Sequence, residues 1–331
     1  MSRRTEILLV SLGSTAGLRS SDAELAASLE RAGAAVEVAA AAPPRPLRTL
    51  ALTDHTWSHA ARRAASAALA RTRPAAVIYS TVTAALLAPA PGAVRFDALA
   101  ASNRPGRHGI WQRPRERAVL ARAPLLMPVS DDALAAAPPR HGPAVVVPIA
   151  VAASGPPGPA LERDIAAITY AADAHKKGLD RVLAAWAGAR RGDEELVVAG
   201  GAAFAPRDGV RAVGALERDA YRALLRRARI YIAAPRREEY GLAQLEALAD
   251  GAMLVTGAPQ ISYAALAVAR AVDPRLHEGD LAAAIRIALD EPLPGYARAV
   301  APALAPFSAA RVDRVVAEQV LPLLAGRRGG A

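Results

Sequence analysis

Pro235-Arg236-Arg237-Glu238-Glu239-Tyr240-Gly241-Leu242-Ala243-Gln244-Leu245-Glu246-Ala247 is the stretch from which the rest of the chain can be read. It follows Ile230 to Ala233, a short apolar run with the length and branching of a buried strand. It runs into Ala243 to Ala249, an unbroken series of helix formers. Gly241 stands at the junction, where the lack of a Cβ permits a turn and a close backbone approach. A helix opening there presents the N–H groups of Gly241, Leu242 and Ala243 at its positive end, a ready site for a phosphate. Glu238 precedes the helix and Glu246 lies within it, eight positions on (246 − 238). One carboxylate can then reach a reacting group while the other accepts hydrogen bonds from neighbouring hydroxyls.

Outward from this stretch, short β-like runs alternate with Ala/Leu/Arg helical stretches. Upstream the predicted strands are Glu6 to Leu12, Val36 to Ala40, Ala76 to Tyr79, Val94 to Phe96, Leu125 to Val129 and Val145 to Ile149. Helices are predicted near Asp22 to Arg31, Ser58 to Ala70, Arg113 to Ala121 and Asp131 to Ala137. Val151 to Ala160, rich in Gly, Pro and small residues, reads as a linker. The alternation then restarts with strands at Ala167 to Tyr170, Glu195 to Ala199, Ile230 to Ala233 and Met253 to Thr256. Helices are predicted between them at Leu179 to Ala189, Tyr221 to Ala228 and Ala243 to Ala249, and Phe307 to Leu324 reads as a long helical stretch interrupted by Pro322. Such alternation implies parallel sheets covered by helices on both faces. Two doubly wound domains follow, at 1–152 and 161–305. Ligands of such sheets sit at the carboxyl ends of the strands, so the two sheets are expected to share a cleft.

Composition narrows the function. The 331 residues are 53% hydrophobic and 22% charged, enough for two aliphatic cores and unlike a disordered chain. Cysteine is absent, which excludes disulfides and thiolate metal sites. No run of about 18 apolar residues free of charge and proline occurs, and the N-terminal run Ile7 to Leu12 has no cleavage pattern, so a cytoplasmic protein is expected. The net charge of +10 comes from arginines scattered along the chain in an Ala-, Arg- and Pro-rich composition. With no zinc-finger spacing or aromatic–basic pattern, no nucleic-acid partner is expected, while the charge allows peripheral contact with an anionic membrane at its inner face. Only two lysines occur, the adjacent Lys176 and Lys177. In a chain that otherwise writes arginine, they point to a compact ammonium wanted at one place, as at a phosphate. His55 and His59, four apart, have no third ligand and read as a surface pair, so no metal is expected.

The decisive stretch resembles the retaining GT-B glycosyltransferases of family 4, the glycosyl transferases group 1. Their pattern E-x-[FY]-G-[LIV]-x-x-x-E-A is matched by Glu238, Tyr240, Gly241, Leu242, Glu246 and Ala247, preceded by Pro235. Lys177-Gly178-Leu179 resembles the family's Lys-Gly element, Val197 to Gly201 its next strand and glycine turn, and Val213-Gly214 the segment passing near the nucleotide base. Phe307-Ser308 and the last helix (306–326) resemble the terminal helix that returns to the first domain. The likeness runs from about Ile165 to the end. One departure is plain: Tyr170-Ala171-Ala172-Asp173-Ala174-His175 lacks the arginine that commonly precedes the lysine, and Lys176, Arg236 or Arg237 stand near enough to replace it.

The resemblance implies two Rossmann-like domains facing across a cleft and an enzyme of the hexosyltransferase type. It would move a sugar from a nucleotide diphosphate sugar to a glycan, lipid-linked or small-molecule acceptor, with retention and without metal or other cofactor. Glu238 and Lys177 would be catalytic, with Gly13, Tyr240, Gly241, Leu242 and Glu246 also on the donor. The amino-terminal half matches in outline only. There Leu12 to Gly17 stands where the family has a glycine loop, and the polar stretch Ser102 to Arg113 follows the strand ending near Asp97. Asp97, Asn103, Arg104 and His108 are the candidates for sugar or acceptor contacts. Two other readings keep the architecture: a nucleotide-sugar epimerase, for which no acid–base pair is evident, and a binding or regulatory protein that has lost turnover.

Overall fold

The alternation of apolar runs with Ala- and Leu-rich segments becomes two five-stranded parallel sheets. The computed structural model describes residues 6–45, 49–104, 106–155, 163–201, 203–259 and 261–326. Residues 156–160 of the expected linker lie outside them. The chain divides into two units, Met1–Ala150 with Ala309–Ala331, and Val151–Ser308. Among the described residues no helix is long and apolar enough to cross a membrane.

In the N-terminal unit the strands are β1 (Glu6–Ser11), β2 (Ala35–Ala40), β3 (Ala76–Tyr79), β4 (Ala93–Phe96) and β5 (Leu126–Pro128), in the order β2-β1-β3-β4-β5. β1 is an interior strand, between β2 and β3, and buried on both faces, as its uninterrupted apolar run requires. Ile7 and Leu9 meet Leu25 and Leu29 of the helix Ala16–Arg31, with Val312, Val316 and Val320 from the end of the chain. Leu8 and Val10 face Ala60, Ala61, Ala65 and Ala68 of the helix Leu50–Arg71, whose small side chains let it lie close against the sheet. The terminal helical segment is held to this unit by Asp313, which accepts from Ser28 Oγ at 2.6 Å and from Arg31 Nε at 2.7 Å.

The C-terminal unit has β6 (Ile165–Tyr170), β7 (Leu196–Ala199), β8 (Val210–Gly214), β9 (Ala228–Ile232) and β10 (Met253–Val255), ordered β10-β9-β6-β7-β8. All its pairings are parallel. The order reverses at β6, between β7 and β9, and the loops after these strands carry Lys177, Gly200 and Glu238.

Three expectations need correction. Val145 to Ile149 is extended but not a strand. Val145 and Val147 donate to the carbonyls of Leu126 and Pro128, yet Pro128 has no N–H to return a bond, so no ladder forms. The terminal helical stretch begins at Ala309, since Phe307 closes a 3₁₀ turn, Pro302–Phe307. Its interruption is a π-helical turn, Val316–Val320, just ahead of Pro322. The wider turn accommodates the hydrogen bond that the proline nitrogen cannot make. β8 was not expected as a strand, because it lies at the sheet edge with no clean alternation of buried and exposed residues.

Candidate active site

The helix Leu242–Ala249 opens on Gly241, whose φ of +81° is left-handed. A Cβ there would come within 2.7 Å of the Tyr263 ring and 3.0 Å of Ala265 Cβ, so both conformation and packing demand glycine. No side chain caps this helix, whose first N–H groups have no intrahelical partner at its positive dipole end.

Lys177 reaches this terminus from the opposite loop. β6 ends at Tyr170, Asp173 caps the short turn Ala174–Lys177, and Gly178 at φ +65° starts the helix Leu179–Ala189. A Cβ on Gly178 would lie 2.0 Å from the carbonyl oxygen of Ala234, the segment leading to the glutamates. That contact, with Arg236 N donating to Lys176 O at 2.9 Å, locks the two loops side by side. Lys177 Nζ consequently sits 2.6 Å from Glu238 Oε2, which also accepts from Gln244 Nε2 at 3.0 Å. Lys176 Nζ lies 2.7 Å from Glu239 Oε2, and Arg237 Nε 2.8 Å from Glu239 Oε1. Burial opposes the charge on Glu239, but Lys176 and Arg237 outweigh it and hold its carboxyl below the usual range. Arg236 is turned away into a two-pronged pair with Asp180, which brings that carboxyl down to about 2. Of the residues named to replace the missing arginine, Arg236 is thus engaged with Asp180, while Lys176 and Arg237 surround Glu239.

Glu246 belongs to a second cluster. Its Oε1 accepts from Arg218 at 3.1 Å and from Arg222 at 3.4 Å, both on the helix Arg218–Arg227. Arg222, buried, also binds Asp250 Oδ2 at 2.6 Å and the carbonyl of Ala152 at 2.7 Å. Tyr170 and Tyr221 lie beside Glu246 with ring centres 5.4 Å apart and their planes tilted by 56°. A buried layer of phenols lies behind the site, where burial first and then the charge of Glu238 raise Tyr231 and Tyr263 above the ordinary tyrosine range. Tyr240 packs its ring edgewise on Phe307, with centres 6.1 Å apart, so it anchors the glutamate loop. Leu242, half-buried, opens the helix.

The other predicted positions belong to the N-terminal unit. Gly13 turns the chain after β1 at φ +57°, and its carbonyl accepts from Arg19 at 3.0 Å. Asp97 is exposed after β4, Asn103 ends the short helix Ala100–Asn103, and His108 is exposed in the 3₁₀ turn Gly106–Gly109. Arg104 is held by Asp54 through two bonds of 2.6 and 2.9 Å, and Gln112 adds a third donor to that carboxylate at 2.9 Å. The sequence reading missed a buried polar knot at the strand ends of this unit. Ser11 Oγ donates to Asp22 Oδ2 at 2.5 Å, Arg95 lies 3.7 Å from Asp22, and Ser80 Oγ receives Leu12 N. His55 and His59 are exposed with ring centres 4.5 Å apart, and among the described residues no three His, Cys, Asp or Glu side chains converge as metal ligands.

Residues 157–299 match the family model described as glycosyl transferases group 1. No curated protein matches the sequence significantly. Solved structures resemble it along nearly its whole length. Against sucrose-phosphate synthase from Thermosynechococcus elongatus the TM-score is 0.74 at 16% identity, covering 98% of this chain and 100% of that one. Against α,α-trehalose 6-phosphate synthase from Burkholderia multivorans it is 0.63 at 13% identity, with 98% of each chain covered. Against WaaG, a glycosyltransferase involved in lipopolysaccharide biosynthesis, it is 0.61 at 14% identity, covering 98% and 100%. The fold is therefore that of GT-B glycosyltransferases, with two Rossmann-like units.

Proposed function

We propose that the protein is a retaining glycosyltransferase that moves a sugar from a nucleotide diphosphate sugar to an acceptor hydroxyl, in the synthesis of a glycan, glycolipid or cell-envelope component. The observation that carries this reading is the Lys177–Glu238 pair set against the uncapped helix at Gly241, inside the segment that matches the group 1 family.

As the bond from the anomeric carbon to the diphosphate breaks, negative charge grows on the leaving oxygen. Lys177 and the N–H groups of the helix Leu242–Ala249 stabilise that charge from a preformed arrangement. An ammonium carries three protons, and with one engaged by Glu238, two remain for phosphate oxygens. The acceptor oxygen bonds to the same face of the anomeric carbon, and its proton passes to the departing phosphate oxygen. The products are the glycoside and a nucleoside diphosphate, with no protein base required. Glu238 lies at the sugar end of the donor. Glu246, oriented by Arg218 and Arg222, accepts from the ribose hydroxyls. Charge neutralisation by Lys177 and the helix dipole makes the reaction independent of metal.

The test is a panel of nucleotide sugars incubated with candidate acceptors and a chelator, with nucleoside diphosphate release as the readout and the anomeric configuration of the product read by NMR. Release should depend on acceptor, keep the donor's configuration and fall about 100-fold or more in Lys177→Ala. A product of inverted configuration would remove the retaining assignment. An isomerised donor without acceptor would favour the epimerase reading.

A further inference from the structure

The net charge is confined to one unit. Met1–Ala150 with Ala309–Ala331 holds 22 basic and 12 acidic residues (22 − 12 = +10), whereas Val151–Ser308 holds 19 of each. Five of the basic residues of the first unit, Arg3, Arg4, Arg48, Arg327 and Arg328, lie outside the described residues. Among the described ones it still holds 17 basic against 12 acidic residues, and Val151–Ser308 holds 19 against 18, so the excess points to a surface of the N-terminal unit.

Two neighbouring helices supply that surface. The helix Leu50–Arg71 carries a single acid, Asp54, and the helix Gln112–Arg122 a single acid, Glu116. Both are turned inward: Asp54 is buried against Arg104 and Gln112, and both oxygens of Glu116 accept the Ala100 N–H at 2.9 Å. With the carboxylates withdrawn, the outer faces of these helices present Arg62, Arg63, Arg115, Arg117 and Arg122. The same region holds the two most exposed large apolar side chains among the described residues, Ile110 at 69% and Leu52 at 55%. They border one patch. His55, one turn from Leu52, lies with its ring 5.5 Å from that of Trp111, the neighbour of Ile110.

We propose that the face formed by Leu52, His55, Ile110, Trp111, Arg115 and Arg117 docks on an anionic lipid bilayer. Arginines set around exposed aliphatic side chains, with the half-buried Trp111 ring beside them, match a headgroup layer, where phosphates lie directly above hydrocarbon. A nucleic acid or a free phosphate would use the charge and leave Ile110 and Leu52 unmatched. The docking is independent of donor chemistry, so it is measured without nucleotide and its failure leaves the transferase reading untouched.

Full-length protein is sedimented with vesicles of phosphatidylcholine alone, or with about one-third phosphatidylglycerol replacing it. The parent should bind the anionic vesicles, release them as salt rises, and ignore the neutral ones. Because each surface arginine contributes about 1 kcal/mol, Arg115→Gln with Arg117→Gln should weaken partitioning about 30-fold. Ile110→Ser should weaken it about 10-fold. Circular dichroism melts verify that these exposed substitutions leave the fold intact. The proposal is overturned if the folded parent ignores anionic vesicles, if the variants bind as the parent does, or if duplex DNA binds in the vesicles' place.

Discussion

Gly178 answers two demands at once, a left-handed φ and a carbonyl oxygen 2.0 Å from where a Cβ would stand. Gly178→Ala should therefore cost at least about 2 kcal/mol in urea unfolding. It should also weaken nucleotide binding, because the loop carrying Lys177 must move away from Glu238. An alanine variant of parent stability would mean that the two loops are not locked together. Glu116 poses a different question. Burial pushes its carboxyl up to about 7 against the opposing hydrogen bond from Ala100. The folded state thus keeps a proton that the unfolded chain releases near pH 4.3. Stability from this group is full below that value and is lost as pH rises toward 7, by on the order of 1–3 kcal/mol. Glu116→Gln imitates the protonated carboxyl, so its melting temperature should match the parent's near pH 4 and exceed it at pH 8. A gap that stays constant with pH would contradict the assignment.

At the scale of elements, the C-terminal unit depends on one guanidinium. Arg222 joins the helix Arg218–Arg227 to Glu246 and Asp250 of the site helix and its end, and to the carbonyl of Ala152 where the chain enters the unit. Ser154 completes the clamp, donating N–H to Asp250 at 2.7 Å and meeting Arg226. Arg222→Met would strand the buried Asp250 carboxylate and should cost about 3–5 kcal/mol in chemical denaturation. Asp250→Asn combined with Arg222→Met should recover part of that loss, a result that simple loss of packing would not give. Much at this scale was legible from sequence. β3 and the helix Leu179–Ala189 fall where their periodicity placed them, and the Gly241 junction opens a helix as its neighbours required. The clamp was not legible, because it joins residues 24 to 96 positions apart through side chains that no spacing rule connects. The extended run at Val145 was misread because its strand character depends on an N–H that Pro128, in the adjacent strand, lacks.

For the molecule as a whole, sequence and structure contributed different things. The motif from Pro235 to Ala247 pointed to the donor side from residue identities alone, while the pairing of Lys177 with Glu238 needed the fold to bring residues 61 positions apart together. The charge asymmetry was present in the sequence from the start, but it acquires meaning only once Asp54 and Glu116 are seen to face inward. The central claim is a nucleotide diphosphate site made by Lys177, the Gly241 helix and Glu246. It is tested most directly by the thermal transition of the protein with UDP, GDP, ADP and their sugars, in the presence of chelator, for the parent, Lys177→Ala and Glu246→Gln. A ligand at one hundred times its dissociation constant adds about 2.7 kcal/mol, so one nucleotide series should raise the parent's transition by several degrees. Lys177→Ala should blunt the diphosphate's effect, and Glu246→Gln should blunt every nucleotide of that series. If no nucleotide moves the transition of the folded parent, or if both variants respond as the parent does, the site is not a donor site.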